Sequence, residues 1–259
     1  MAMKLRILGS SSSGNCALLS AGRSHVLIDA GLGINTIRRA LESCSLALEK
    51  IDAVFLTHDH SDHTGALANF KKYAHIPVFA NELTAREVKK RLKHTLNWKL
   101  FESGQSWGFG ELQVQSFCVP HDAQDSVGFI FEHEKKRLGW ITDLGYVTEL
   151  VRDKVRDLDA LALESNYEPH LLTHSDRPLA LKTRIKGRHG HLSNEQAFEF
   201  LDGIDMPRCK HVYLIHVSRE CNTVQDALSR FNQGALARNF KVEVVDPFTV
   251  LTASVLEIE

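Results

Sequence analysis

Four potential metal ligands lie within six residues of one another, directly after a run of apolar residues. The run Ile51–Leu56 predicts a buried strand, and the segment that follows it contains His58, His60, Asp62 and His63. In an extended backbone His58 and His60 point to the same side, and a turn into a helix would let Asp62 and His63 face a neighbouring position. Imidazole and carboxylate groups together suit Zn²⁺ and related divalent ions. The spacing predicts two adjacent metal sites, because a solvated polar loop seldom has this composition by chance.

Composition argues against several other classes of protein. The 259 residues, 43% hydrophobic and 24% charged, suit a globular protein with a substantial core. The formal net charge of −1 disfavours coating of nucleic acid by bulk electrostatics. Two basic stretches, 86–93 and 182–188, fit either a local groove or solvated surface. The five cysteines are dispersed without a C-x-x-C pair, which predicts reduced thiols rather than disulfides or a zinc ribbon.

No segment predicts secretion or membrane insertion. The N-terminal residues are too poor in apolar side chains for a signal peptide, and no stretch approaches the ~20 apolar residues of a membrane span. We therefore expect a cytoplasmic protein without membrane contacts, and no obligate protein partner is evident.

The predicted secondary structure alternates groups of strands with single helices. The turn Gly9–Asn15 lacks the G-x-x-x-x-G-K-[ST] pattern of a phosphate loop and predicts a hairpin, while Ser193 and Gln196 form a capping box that opens a helix. Strands are predicted at 4–8, 16–20, 25–29, 51–56, 77–80, 112–119, 127–133, 137–142, 158–164, 211–217, 241–245 and 249–258, and helices at about 34–41, 62–70, 84–94, 194–201 and 223–231. With no linker or repeat, this predicts a single α/β domain over 1–259, with two packed sheets and helices outside.

The cluster H-x-H-x-D-H after a buried strand resembles the signature of the metallo-β-lactamase fold superfamily, and the resemblance covers nearly the whole chain. It implies that His121, in Val119-Pro120-His121-Asp122, completes the first metal site with His58 and His60. It likewise implies that Asp143 bridges both metals and that His216 completes the second site. Asp29 would support a ligand rather than bind metal itself. The implied fold is a four-layer αββα sandwich with the metals at one edge between the sheets.

Other motifs favour a phosphodiester substrate over a β-lactam. Asp143 stands where true β-lactamases typically carry cysteine. The segments 164–166 and 190–197 resemble the E-A-T and G-H-S-T motifs of the phosphodiesterase branch, which includes the tRNA 3′-processing endonucleases and places an acid–histidine pair beside the metals. The matching residues are Glu164 and His191, although Leu192-Ser193 departs from the usual Ser-Thr and His189 remains an alternative to His191.

The compact length and the Gly/Ser-rich start are most similar to the small bacterial YycJ/WalJ-type proteins, which are associated with exonuclease activity on DNA. The resemblance implies a dinuclear hydrolase of nucleic acid or nucleotide phosphodiesters, with Zn²⁺ favoured and Mn²⁺ or Fe²⁺ compatible. A hydroxide bridging the metals would be the nucleophile and Asp62 would orient it, while His191, positioned by Glu164, would protonate the leaving oxygen.

Three alternatives stay open. A glyoxalase II-like thioester hydrolase shares the histidine cluster but usually carries a C-terminal helical substrate domain. A small cyclic-phosphodiester hydrolase belongs to the same branch. A non-catalytic metal-binding module is disfavoured because every expected ligand position is filled.

Overall fold

Two mixed β-sheets form the centre of the protein. The computed structural model describes residues 2–233, 240–249 and 256–258, and within these ranges the strands divide into two sheets of seven. In chain order the strands are β1 (Met3–Ser11), β2 (Gly14–Ala21), β3 (Ser24–Ile28), β4 (Ala53–Phe55), β5 (Pro77–Asn81), β6 (Asn97–Phe101), β7 (Ser106–Phe109), β8 (Leu112–Cys118), β9 (Val127–His133), β10 (Lys136–Ile141), β11 (Ala160–Glu164), β12 (His211–Ile215), β13 (Lys241–Val244) and β14 (Leu256–Ile258).

Each sheet combines an antiparallel half with a parallel half. The first has the order β14-β1-β2-β3-β4-β5-β6 and the second the order β13-β12-β11-β10-β9-β8-β7. Strands β3 to β6 are parallel in the first sheet, and β10 to β13 are parallel in the second. The turn predicted at Gly9–Asn15 is the β1–β2 hairpin. Parallel strands end at the same edge of their sheet, so the residues that follow them are brought together.

Side chains along the central strands alternate between two apolar layers. In β3, Val26 and Ile28 enter the core between the sheets, whereas Leu27 faces the helices on the outside. In β11, Ala162 enters the same central core and Leu163 faces the other helical layer. Both faces of each sheet are therefore buried, as expected for a strand between two apolar layers.

Helices cover the outer faces of both sheets. They are α1 (Ile34–Glu42), α2 (Ser61–Thr64), α3 (Glu82–Arg91), α4 (Glu149–Val155), α5 (Pro169–His174), α6 (Leu179–Lys186), α7 (Asn194–Asp202) and α8 (Val224–Gln233). Ile37 of α1 packs on the first sheet, while Val151 of α4 and Phe200 of α7 pack on the second. The layers confirm the expected αββα sandwich. Within the described ranges, no helix is both long and apolar enough to cross a bilayer.

Several elements differ from the sequence-based expectations. The helix predicted at 62–70 is the short α2 followed by a 3₁₀ segment, Gly65–Tyr73, because Ala66 N–H donates to Ala30 O (2.8 Å) rather than to the preceding turn. The strands β6 and β7 and the helices α4, α5 and α6 were not predicted, since they are short and partly exposed. The strand predicted at 249–258 falls largely outside the described residues, which include β14.

Three of the strands that end where the two sheets meet are followed by non-glycine residues in the left-handed backbone region. Asp29 follows β3 with φ of 59°, Asp143 follows β10 with φ of 53°, and His216 follows β12 with φ of 56°. Such conformations are uncommon for residues with a Cβ atom and are concentrated at functional sites. Each one turns a side chain towards the edge where the two sheets meet.

Candidate metal centre and active site

The seven expected metal ligands lie together at one edge of the sandwich. His58 and His60 follow β4, and Asp62 and His63 belong to α2. The second sheet supplies the remaining three from the segments after β8, β10 and β12: His121, Asp143 and His216. Their nitrogen and oxygen atoms fall into groups in which all atoms lie within 4.8 Å of one another. Residues almost 160 positions apart in the chain thus form one cluster.

The first group consists of three imidazoles, His58, His60 and His121. His121 Nδ1–H donates to Gly190 O (2.9 Å), which leaves the Nε2 lone pair directed at His60 Nδ1, 3.2 Å away. His58 Nε2 is buried and contacts no hydrogen-bonding partner among the described residues. Burial lowers the pKa of His58 well below its usual value and also lowers the pKa of His121, so both favour the neutral form that binds metal.

The second group combines Asp62 with His63 and His216. Asp62 Oδ2 lies 3.5 Å from His63 Nε2 and 3.3 Å from His216 Nε2. Burial alone would lower the pKa of His216, but Asp143 and hydrogen bonds to Asp62 and Glu164 outweigh it and raise that pKa to about 10. Burial opposes protonation of His63 as well, yet nearby carboxylates led by Asp143 raise its pKa well above the usual value. The negative charge of these carboxylates stabilises a positive charge on the neighbouring nitrogens. A divalent ion would supply that charge in place of the protons, because it binds the same nitrogens.

Asp143 lies between the two groups. Its Oδ1 is 3.5 Å from His121 Nε2, and its Oδ2 is 3.1 Å from His63 Nε2. Thr142 Oγ1–H donates to Oδ2 at 2.7 Å. Burial would raise the pKa of Asp143, but the surrounding imidazoles, His216 first, hold it well below its usual range. The carboxylate is therefore ionised, and its Oδ1 also lies 3.5 Å from His216 Nε2, so a single oxygen contacts imidazoles of both groups.

Asp29 and Gly31 hold the ligand loop in place. Fully buried Asp29 accepts hydrogen bonds from Thr57 N–H (2.9 Å) and from His63 Nδ1–H (2.8 Å). A Cβ atom on Gly31 would lie 1.5 Å from Asp62 O, so only glycine permits this approach of the two segments. The expected supporting role of Asp29 agrees with these contacts.

Glu164 is a buried carboxylate shared by two histidines. Its Oε1 lies 2.7 Å from His191 Nδ1 and 3.0 Å from His216 Nδ1. Its Oε2 accepts from the backbone N–H of Leu144 (2.9 Å) and of Leu192 (3.0 Å). Burial would raise the pKa of Glu164, but His191 and then His216 outweigh it and lower that pKa.

His191 borders the cleft above the metal-ligand groups, whereas His189 is exposed. The His191 side chain is 16% exposed, and its Nδ1 lies 3.6 Å from Asp143 Oδ1. Its ring stacks on that of His216 at 5.3 Å between centroids. The Nδ1 edge of the ring therefore contacts Glu164, while the partly exposed ring can contact a molecule bound in the cleft.

The cleft also contains residues to which the sequence gave no catalytic or metal-binding role. Asn166 is the last residue of the 164–166 motif, and its Nδ2 donates to His216 O (2.8 Å). Arg184, part of the basic stretch 182–188, makes a two-pronged contact with Asp122. Arg177 also lines the cleft, although no sequence pattern marked it.

The other basic stretch, 86–93, does not line this cleft. On α3, Lys90 pairs with Glu87 at 2.6 Å and Lys89 lies over the ring of Trp98. The interpretation of this stretch as ordinary helix surface agrees better with these local contacts than a substrate groove does.

Known proteins match the chain over most of its length. A family model described as "Beta-lactamase superfamily domain" matches residues 24–217. Exodeoxyribonuclease WalJ from Streptococcus pneumoniae serotype 2 is 35% identical, with 95% of each chain covered. Exodeoxyribonuclease YycJ from Bacillus anthracis is 29% identical, covering 93% of this chain and 92% of the relative. The crystal structure of Zn²⁺-bound PqqB from Methylobacterium extorquens has the same fold, with a TM-score of 0.71, 18% identity and coverage of 94% and 98%.

Proposed function

The chain belongs to the β-lactamase superfamily, and from that premise we propose that it is a two-metal phosphodiesterase that degrades DNA from an end. The substrate class follows the names of the WalJ and YycJ relatives, both called exodeoxyribonucleases. The Glu164–His191 pair carries the proposal, because it would supply a proton donor beside the expected metal ligands in one cleft.

The donor set fits two divalent ions. The three imidazoles of His58, His60 and His121 suit Zn²⁺, while the mixed oxygen and nitrogen set of Asp62, His63 and His216 also accepts Mn²⁺ or Fe²⁺. His58 Nε2 is buried and has no hydrogen-bond partner in the described part of the chain, which supports this fit, since such a nitrogen is otherwise costly. When bound, the ions would supply a nucleophilic water of lowered pKa and neutralise charge on the phosphate oxygens.

Three side chains of the protein would have separate roles in the reaction. Asp143, which lies within 3.5 Å of imidazoles of both ligand groups, would hold the two sites in a fixed relation. Asp62 would orient the attacking water as well as bind metal. His191 would protonate the leaving oxygen of the substrate, with its ring orientation fixed by the 2.7 Å contact between Nδ1 and Glu164 Oε1.

The role of His191 can be tested with two substrates that differ in leaving group. In His191→Ala, turnover of single-stranded DNA should fall by about 10²–10⁴, the usual contribution of a general acid, while metal content stays at the wild-type level. Hydrolysis of bis-p-nitrophenyl phosphate should fall much less, because p-nitrophenolate leaves without a proton. His189→Ala is the matched control, since this exposed histidine lies two residues away, and Asp143→Ala serves as the inactive blank.

Equal losses on both substrates would refute the general-acid role of His191. Absence of hydrolysis of any phosphodiester by the Zn²⁺- or Mn²⁺-reconstituted wild-type protein would refute the proposed activity. Hydrolysis of S-lactoylglutathione instead would identify a thioesterase.

A further inference from the structure

We propose that Arg177 binds a substrate phosphate next to the scissile one and thereby selects polynucleotides over compounds with a single phosphodiester. The inference rests on the proposed function and assigns a specificity-determining residue to the same site.

Helices α5 and α6 and their connecting loop supply one wall of the cleft. Arg177, Leu181, Arg184 and Ile185 of this segment line the same cleft as His191 and the metal-ligand groups. Residues 169–190 contain five lysines and arginines but only one acidic residue, although the whole chain carries a formal net charge of −1. Positive charge is therefore concentrated beside the candidate metal centre, where an anionic chain would pass.

Most cations of this segment are already engaged by the protein. Arg184 makes its two-pronged contact with Asp122. Lys182 donates to the carbonyl oxygens of Thr173 (2.8 Å) and Ser175 (2.6 Å), and Lys186 donates to Thr173 Oγ1 (2.8 Å). Arg188 lies over the ring of Tyr146, 4.3 Å from its centroid. Of these four residues only Arg184 lines the cleft, and its Nε and Nη2 already contact Asp122.

Arg177 differs from them because, among the described residues, only its Nε is hydrogen-bonded and its two terminal nitrogens are not. Its Nε–H donates to Glu220 Oε2 at 2.9 Å, and its side chain is only 20% exposed. Among the described residues, none accepts a hydrogen bond from Nη1 or Nη2. Glu220 thus fixes the orientation of the group, and the Arg177 side chain lines the cleft with both terminal nitrogens unpaired among the described residues. A guanidinium with two parallel free donors matches the oxygens of a phosphate.

The ligand of this site must carry a second phosphate. The reacting phosphate would lie at the metal-ligand groups, and Arg177 belongs to a different wall of the cleft. A single-stranded DNA segment provides a neighbouring phosphate, whereas bis-p-nitrophenyl phosphate has none. Arg177 should therefore contribute to binding of the former and not of the latter.

The test compares Arg177→Gln with a control of equal charge change. In Arg177→Gln, kcat/KM for a single-stranded oligonucleotide should fall about 10- to 100-fold through KM, as expected for a charged hydrogen-bonding contact. The value for bis-p-nitrophenyl phosphate should change far less. Arg23→Gln is the control, because Arg23 is exposed in the β2–β3 turn, at the end of β3 opposite to Asp29.

A binding measurement separates this inference from the proposed activity. Fluorescence anisotropy with a labelled phosphorothioate oligonucleotide that resists hydrolysis should show weaker binding in Arg177→Gln and a salt dependence shallower by about 0.7 in slope, the value for one lost contact to a single strand. Arg177→Lys should retain the salt slope but lose part of the affinity, because it keeps the charge without the paired donors. Wild-type thermal midpoints would show that these variants fold.

Unchanged oligonucleotide binding and KM in Arg177→Gln would overturn the inference, and so would equal losses on both substrates. If the wild-type protein hydrolyses no phosphodiester but Arg177→Gln still weakens oligonucleotide binding, the proposed activity fails while the phosphate site stands.

Discussion

Glu164→Gln is the substitution for which the structure gives the sharpest expectation. The carboxylate is fully buried and engages four groups, two imidazole nitrogens through Oε1 and two backbone N–H groups through Oε2. An amide has nearly the same shape but replaces one acceptor oxygen with an NH₂ donor. Whichever way the amide is turned, one pair of its partners meets a donor instead of an acceptor.

Each orientation of the amide has a definite cost. With NH₂ towards Leu144 and Leu192, two buried N–H groups lose their acceptor, at about 1–3 kcal/mol each and roughly 2–6 kcal/mol in total. With NH₂ towards His191 and His216, both rings must carry their proton on Nε2, and His216 then has no Nε2 lone pair to offer beside Asp62. The first orientation lowers stability, and the second lowers metal affinity.

Thermal unfolding, metal content and turnover distinguish these outcomes. For a chain of this length about 1 kcal/mol corresponds to roughly 2–4 °C in Tm, so the first orientation should lower Tm by roughly 5–20 °C. The second should reduce the metal retained after dialysis, measured by elemental analysis. Turnover of DNA should fall in both cases. The matched control is Glu195→Gln, an exposed acid in the first turn of α7, with an expected cost of about 0.3–1 kcal/mol. If Glu164→Gln retained the Tm, metal content and turnover of the wild type, the assignment of Glu164 as the shared acceptor would be wrong.

Two further substitutions or measurements test the packing around the site. Gly31→Ala should lower metal content and reduce the free energy of unfolding by at least about 1–3 kcal/mol, because its Cβ would lie 1.5 Å from Asp62 O. Gly33→Ala is the control and should change neither quantity, because its Cβ would meet only Thr36 Oγ1 at 3.9 Å. Equal effects of the two substitutions would contradict the close approach at Gly31. An aromatic disulfide reagent at neutral pH should modify only Cys44 and Cys118 rapidly in the folded protein, since the other thiols are buried; a third fast thiol would contradict this burial.

The clustering of the expected metal ligands was accessible to prediction because the family resemblance supplied their order and each ligand segment follows an apolar strand. His121 and Asp143 each follow such a strand, and parallel strands carry these positions to one edge. The layer order was less accessible. Val26, Leu27 and Ile28 are all apolar, although Leu27 faces a different layer from its neighbours. Periodicity cannot reveal this alternation when both faces of a strand are buried.

The wall formed by α5 and α6 could not be predicted for a different reason. The two helices are short and are separated by a loop that ends at Pro178, so neither provides a long amphipathic repeat. Arg177 is oriented by Glu220, which is 43 residues away in the chain. Its free terminal donors follow from this tertiary contact, and no local pattern encodes the contact.

The left-handed backbone at Asp29, Asp143 and His216 has a consequence for how this protein tolerates change. Such a conformation costs on the order of 1–3 kcal/mol for a residue with a Cβ atom, and asparagine, aspartate and glycine bear it most easily. At His216, φ is 56°. Glycine would avoid this backbone cost, but it has no side chain. A glycine at position 216 should therefore remove the backbone cost but lose the contacts of a buried ring with Asp62 and Glu164. These opposing terms explain why a strained residue persists at this strand end.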